Sequence, residues 1–202
     1  MKFTSDNSEE YHQPFSLLEL TQALQKSNDS TVGLDDIHYK LLTNLPESLL
    51  TLLLAVFNSI WESGIFPPSW REATIVAISK PGKDPSDPDN YRPIALTSCL
   101  CKTMERMVNN RLMWVLESKD LLVSEQCGFR KYRCTADHLV HFDSYIRNAF
   151  ITRENAVAIY FDVEKAYDIK WKHGTLCGLY DLILEVICLP LLMGICLIDC
   201  SR

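Results

Sequence analysis

Residues 156–168 read AVAIYFDVEKAYD: six consecutive apolar positions, then Asp162, with Glu164 and Asp168 close behind. A carboxylate at the tip of a buried segment is costly unless a base, a cation or solvent meets it. The run is short and rich in β-branched and aromatic residues, which predicts a strand over 156–162. A strand that ends on a carboxylate can hold a divalent cation rigidly, given a second acidic ligand from another element. Two such cations serve phosphoryl or nucleotidyl transfer. The alternative is that Asp162 caps whatever follows the strand. Tyr167, five residues on, either walls a ligand site beside Asp162 or packs into the core.

Helical spacing dominates the chain upstream. Ser16 with Glu19 three residues later is a capping-box pattern, and Leu17, Leu20, Ala23 and Leu24 predict a helix over about 16–26. NDSTVGLDD is a loop. Residues 47–63 form a longer helix whose broad apolar face is expected to be mostly buried, stopped by Gly64 and followed by Pro67-Pro68. ATIVAIS (73–79) predicts a strand, and KPGKDPSDPDNYRP (80–93) a loop. Over 98–118 a helix places Leu100, Met104, Met107, Val108, Leu112, Val115 and Leu116 on one side, with Lys102, Arg106 and Arg111 pointing elsewhere. Another runs over about 135–150 with Leu139, Phe142, Ile146 and Phe150 on one face, and a last one over about 172–184. Helices outnumber strands, and the fold class is α+β.

Two further segments carry charge suited to nucleotides. Lys80, Lys83 and Arg92 lie on the Gly- and Pro-rich loop, where lysine supplies a point charge and arginine a fork for phosphate. The loop does not match the G-x-x-x-x-G-K-[ST] phosphate cradle. Its bland reading is a solvated loop whose Asp84, Asp87 and Asp89 cancel the cations. In EQCGFRKYR (125–133), Arg130, Lys131 and Arg133 alternate with Phe129 and Tyr132, a mixture suited to a single-stranded or template backbone. A basic turn that merely caps the next helix is the other reading.

The 202 residues carry a net charge of −6, which argues against a uniformly basic coat. Residues 71–133 nevertheless hold 11 Lys/Arg against 8 Asp/Glu, a local +3 within an acidic chain. The opening MKFTSDNSEEYHQPF has no apolar signal region, so an intracellular chain with its eight cysteines reduced is expected. No C-x-x-C pair occurs, and zinc is not expected. VICLPLLMGICLI (186–198) is apolar but, at 13 residues with Pro190 and Gly194, is short of the roughly 20 a membrane span needs. No membrane association is expected.

Taken in order, PFSLLELTQAL, GLDDIHYKLL, the long block from LPESLL to MWVLE, SEQCGFRKYRCTADHL and AIYFDVEKAYDIKWKHG resemble the reverse transcriptase of non-LTR retrotransposons, nearest the jockey-like elements. The likeness spans roughly residues 14 to 176, and five ordered blocks are far more specific than any one motif. It implies a partial right-hand polymerase: a helical extension over 1–30, fingers over 31–153 and the start of the palm over 154–202. It further implies that Asp162 is the first catalytic aspartate and a ligand of divalent cations (Mg2+ or Mn2+), with the backbone oxygen of Val163 beside it. Tyr167 matches the aromatic gate that excludes a 2′-hydroxyl. Lys80 and Arg92 match finger residues on the incoming triphosphate, and Gln126, Gly128, Phe129 and Arg130 sit in the motif that lines the nucleotide and template side of the pocket. Lys83, Lys131 and Arg133 are then template contacts. The implied partners are an RNA template, a DNA primer and deoxynucleoside triphosphates, in the cytoplasm and nucleus.

The family pattern continues into a P-Q-G segment and a Tyr-x-Asp-Asp turn that supplies the remaining aspartates, and neither occurs in these 202 residues. The chain alone is therefore expected to be inactive, the truncated piece of a polymerase. A non-catalytic relic with residual RNA or nucleotide binding is the second expectation. A metal-dependent phosphohydrolase built on YFDVE is the third, but it leaves the upstream blocks unexplained.

Overall fold

The computed structural model describes residues 12–27, 31–163, 171, 173–175, 177 and 178. These residues divide into two compact units, one running to Trp114 and including the few described residues after Trp171, the other Val115–Trp171. The described residues include α1 (Leu17–Gln25), α2 (Tyr39–Thr43), α3 (Glu47–Ser63), β1 (Thr74–Ser79), β2 (Tyr91–Leu96), α4 (Cys99–Ser118) and α5 (Thr135–Thr152), with short 3-10 turns at Pro68–Trp70 and Pro88–Asn90 and helical residues at 173–175, 177 and 178.

The first unit is organised by α1. Ser16 caps it as expected: its hydroxyl accepts from the Glu19 N–H at 3.3 Å while Glu19 accepts from the Ser16 N–H at 2.8 Å. Leu20, Ala23 and Leu24 are buried on the face that the spacing indicated. They join Phe15, Tyr39, Leu42, Phe57, Trp61, Phe66, Trp70, Met104, Met107 and Val108 in one apolar core. Phe15 and Trp61 lie with ring centroids 4.7 Å apart, and the Trp61 indole N–H donates to the His12 carbonyl at 3.2 Å. Helix α3 ends at Gly64, whose φ of 64° is the left-handed value that a Cβ disfavours.

Two expectations about these helices need correction. Helix α3 buries only Phe57 and Trp61, while Leu49, Leu52 and Val56 stay exposed. Its apolar residues surround more of the helix than one neighbouring layer can cover. Arg106 and Arg111 do not point away from the packed side. Arg106 donates to the Ala23 carbonyl at 2.5 Å and the Ser27 hydroxyl at 2.6 Å, with its guanidinium over the Tyr39 ring. Arg111 lies 4.2 Å over the Phe15 ring, pairs with Glu19 at 2.7 Å and donates to the Gln13 and Pro14 carbonyls. Long stems let arginines reach past an apolar face to the carbonyls at its rim.

These contacts decide the ionisation of Glu19. Burial alone would raise its carboxyl, but hydrogen bonds from Arg111 and Ser16, together with the arginine charge, outweigh it and hold the group below its usual range. Glu105 behaves oppositely. Burial dominates there, and the hydrogen bond to the Cys101 thiol (Sγ to Oε1, 3.3 Å) and the Lys102 charge only partly offset it, so its pKa is raised. The folded state thus binds a proton at Glu105 more tightly than the unfolded chain, and stability falls as pH rises through the folded pKa. Glu105→Gln removes that loss. Its melting temperature should exceed the parent's at pH 7 and match it at pH 4, as read by circular dichroism.

A junction between loop and helix ties GLDD to α4. A Cβ on Gly33 would lie 2.5 Å from the Ser98 nitrogen and 2.7 Å from the Thr97 carbonyl carbon. Only glycine allows this approach. Across it, the Ser98 hydroxyl donates to Asp35 at 2.5 Å and accepts from the Leu100 N–H at 3.1 Å, capping the start of α4.

Strands β1 and β2 pair antiparallel, Thr74 with Leu96 through Ser79 with Tyr91. Strand β2 lies partly where the sequence reads as loop. Pro93, which opposes Ala77, masks the strand pattern, but a two-stranded ribbon has two edges and tolerates a residue without an N–H.

In the second unit, α5 begins at Cys134, whose N–H donates to Asp137 at 2.7 Å. Its anticipated apolar face is open: Leu139, Phe142 and Phe150 are exposed. The strand expected over 156–162 is not formed, and those residues carry no regular structure and are exposed, with Phe161 at 90%. A strand needs a neighbour to accept its hydrogen bonds, and the 156–162 backbone pairs with no strand among the described residues. Tyr160 instead meets Phe142 of α5 edge-on at 6.3 Å. The helix expected over 172–184 is helical at its described residues, and the rest of it lies outside them. No helix among the described residues is long and apolar enough to cross a membrane.

Candidate nucleic-acid interface

The cations of the first unit sit on the β1–β2 ribbon. Arg92 opposes Ile78 in the register, and Lys80 follows directly after β1, its N–H bonded to the Asn90 carbonyl at 2.7 Å. Residues 78 and 80 share a face, so Lys80 and Arg92 are diagonal neighbours. The turn between the strands is stapled internally. Lys80 donates to the Asp89 carbonyl at 2.8 Å, Asn90 to the Asp84 carbonyl and the Asp87 carboxylate, and the Tyr91 hydroxyl to the Pro85 carbonyl at 2.9 Å. Gly82, at φ 71°, makes the reversal.

Two acids of this turn accept from its own backbone. Asp84 accepts from the Ser86 N–H at 2.9 Å and Asp87 from the Asp89 N–H at 3.0 Å. The bond from Ser86 holds Asp84 below its ordinary value. Neither Lys83 nor Arg92 forms a salt bridge among the described residues, and both are exposed. The ribbon therefore presents two exposed cations outside any salt bridge among the described residues and one lysine bonded to a carbonyl.

The second unit holds the other basic group on a turn between α4 and α5. Arg130 is the fastened one, its side chain only 7% accessible. It donates to both Glu117 oxygens, at 2.9 and 2.6 Å, and to the Val123 carbonyl at 3.0 Å. The Arg130 hydrogen bonds, then the charges of Arg130 and Arg133, hold Glu117 below the usual carboxylate range. Gln126 bridges the turn by donating to the Gly128 carbonyl at 3.3 Å, and Arg133 donates to the Ser124 carbonyl at 2.6 Å. Lys131 is exposed and makes no hydrogen bond or ion pair among the described residues. Ser124, Glu125, Cys127, Arg133, His138 and His141 line an open cleft of about 370 Å³.

The sequence had no signal for Glu117. Thirteen residues separate it from Arg130, a spacing that belongs to no helical or strand period.

Asp162 and Val163 are exposed on the irregular segment after α5, and Tyr167 lies outside the described residues. Divalent cations such as magnesium need about six oxygen ligands. One carboxylate and one carbonyl are too few, and among the described residues no three His, Cys, Asp or Glu side chains converge as a metal site. The described residues do not by themselves complete a cation centre. Cys99, Cys101 and Cys127 are buried, and burial, the largest cause, pushes the Cys101 thiol well above its usual value, so it is an inert packing group.

The family model for "Reverse transcriptase (RNA-dependent DNA polymerase)" matches residues 78–184, which include the ribbon cations, the basic turn and Asp162. Among curated proteins, the chain is 35% identical over 144 residues to the "RNA-directed DNA polymerase from mobile element jockey" of Drosophila melanogaster, covering 71% of this chain and 16% of that protein. It is 32% identical over 162 residues to the "Probable RNA-directed DNA polymerase from transposon BS" of the same fly, covering 80% of this chain and 18% of that protein. A polyprotein from the type-1 retrotransposable element R2 of Popillia japonica is 26% identical over 168 residues. The chain thus spans less than a quarter of the length of these relatives. With more than half of its residues under that model, the chain belongs to the reverse transcriptase (RNA-dependent DNA polymerase) family.

Proposed function

We propose that this chain is the nucleotide- and template-gripping portion of a reverse transcriptase from a jockey-like non-LTR element, and that the intact protein performs RNA-directed nucleotidyl transfer. In that protein a primer 3′-hydroxyl attacks the α-phosphate of a deoxynucleoside triphosphate, and pyrophosphate leaves. Residues 31–153 are the fingers and 154–202 the start of the palm of a right-hand polymerase, with 1–30 a helical extension. The observation that carries the reading is the ribbon, where Asp84 and Asp87 accept from the turn's own N–H groups and Lys83 and Arg92 form no salt bridge among the described residues.

Lys80 and Arg92 receive the triphosphate, and Lys83, Lys131 and Arg133 the template. Gln126 and Arg130 line the nucleotide side, Arg130 through the turn that it fixes, and Tyr167 discriminates against the 2′-hydroxyl. Asp162, with the Val163 carbonyl, contributes one carboxylate towards bound Mg2+ or Mn2+, which supplies charge stabilisation for phosphoryl chemistry. The parent element works in the cytoplasm and nucleus.

Fluorescence anisotropy with a labelled single-stranded RNA tests the reading. Binding should weaken steeply with salt, and Lys83→Ala and Lys131→Ala should each cost several-fold in affinity and lower the salt slope by about 0.7. Salt-insensitive binding, or none, would overturn it. With template, primer, deoxynucleoside triphosphates and Mg2+ the chain should show no extension. Extension abolished by Asp162→Ala would refute the assignment of this piece as incomplete.

A further inference from the structure

A patch of the second unit is apolar and open. On α5, Leu139, Phe142 and Phe150 recur at helical spacing and are exposed, Phe150 at 78%. The edge-on contact between Phe142 and Tyr160 ties the following segment to that face. Along the segment Val157, Ile159, Tyr160 and Phe161 are exposed as well, Tyr160 at 82%. No charged residue occurs from 155 to 161, while Arg153 stands before the run and Asp162 closes it. Neither of these two forms a salt bridge among the described residues.

We infer that this patch is the interface of a homodimer, in which residues 156–161 of two copies lie side by side and antiparallel about a two-fold axis. Area and charge both favour a second copy as the occupant. An aromatic residue removes roughly 150–250 Å² from water when buried, so Phe142, Phe150, Tyr160 and Phe161 at their exposures offer on the order of 400–700 Å². Leu139, Val157 and Ile159 bring the patch to about the 800 Å² that each partner contributes to a standard interface. A patch of that size on a soluble chain marks a contact surface. Its β-branched and aromatic residues suit an extended pair, and each backbone supplies the hydrogen bonds that the other lacks. Antiparallel pairing sets Arg153 of each copy near Asp162 of the other, whereas parallel pairing would set like charges together. The run carries no cation for phosphate, which disfavours a nucleic acid. The inference goes beyond the reverse transcriptase reading and does not rest on it.

Sedimentation velocity on the full chain at micromolar concentrations reads the association. The parent should form a dimer, and its strand content by circular dichroism should rise as the dimer fills. Phe161→Asp and Val157→Asp should each weaken dimerisation by about thirtyfold, the scale for a residue at the centre of an interface. Both side chains are exposed in the single chain, so neither variant should melt lower at dilutions where parent and variant are monomeric. Leu52→Asp, on the exposed side of α3 in the other unit, should leave the dimer intact. Arg153→Glu should weaken it several-fold, and Arg153→Glu combined with Asp162→Lys should restore it.

A parent that stays monomeric overturns the dimer and leaves the reverse transcriptase reading standing. Association that survives both aspartate variants, or that yields to Leu52→Asp, puts the contact elsewhere and overturns the assignment of this patch. Open-ended growth in place of a dimer overturns the two-fold closure. A double charge variant that fails to recover overturns the antiparallel pairing.

Discussion

Trp61→Ala should destabilise the first unit by about 3–5 kcal/mol, the range for removing a large aromatic from a packed core. The indole is 1% exposed, so nearly all of its surface leaves water on folding. Three contacts go with it: the Phe15 ring at 4.7 Å, the Arg111 guanidinium at 5.5 Å from its centroid, and the N–H bond to the His12 carbonyl. The carbonyl loses a partner as well as a neighbour, which adds to the cavity cost. Because whole domains are stable by about 5–15 kcal/mol, much of the variant should be unfolded near 40 °C. Urea denaturation followed by circular dichroism reads this directly. A loss below about 1 kcal/mol would mean that Trp61 is not the centre of this core.

Gly33→Ala should cost about 3 kcal/mol for one added methyl group, at the upper end of ordinary overpacking. The reason is not backbone conformation. The new Cβ would meet backbone atoms of Thr97 and Ser98 at 2.5 to 2.9 Å, and backbone cannot rotate aside as a side chain does. Either the GLDD loop or the start of α4 must retreat, which parts Ser98 from Asp35 and loosens the cap on the Leu100 N–H. Asp35→Ala should cost less, about 1 kcal/mol, because it removes the bond and leaves the packing. Equal losses from the two changes would place the strain in the hydrogen bond rather than in the contact.

The local signals of the fold were legible wherever a pattern stays within one element. The Ser16–Glu19 box, the end of α3 at Gly64 and the buried side of α4 follow from spacing alone. Strand β2 was hidden because Pro93 argues against a strand unless the partner's register is known. The apolar run 156–161 matches strand chemistry, yet a strand forms only against a neighbour, and periodicity does not say whether one exists. Cations proved hardest to place. Lys83 and Arg92 stand in the open and Arg130 is tied down, although all three read alike in the sequence. The difference lies with their acids: Asp84 and Asp87 are held by adjacent N–H groups, and Glu117 comes from a distant helix.

Arg111 carries a consequence for how the chain comes into being. Its partners Gln13, Pro14 and Glu19 lie more than ninety residues earlier, and its stacking partners Phe15 and Trp61 also precede it. A nascent polypeptide leaving the ribosome exposes those aromatics long before α4 has been translated. Until Arg111 emerges, the Phe15 and Trp61 rings lack the guanidinium that covers them in the folded unit, which leaves that apolar surface open to wrong partners.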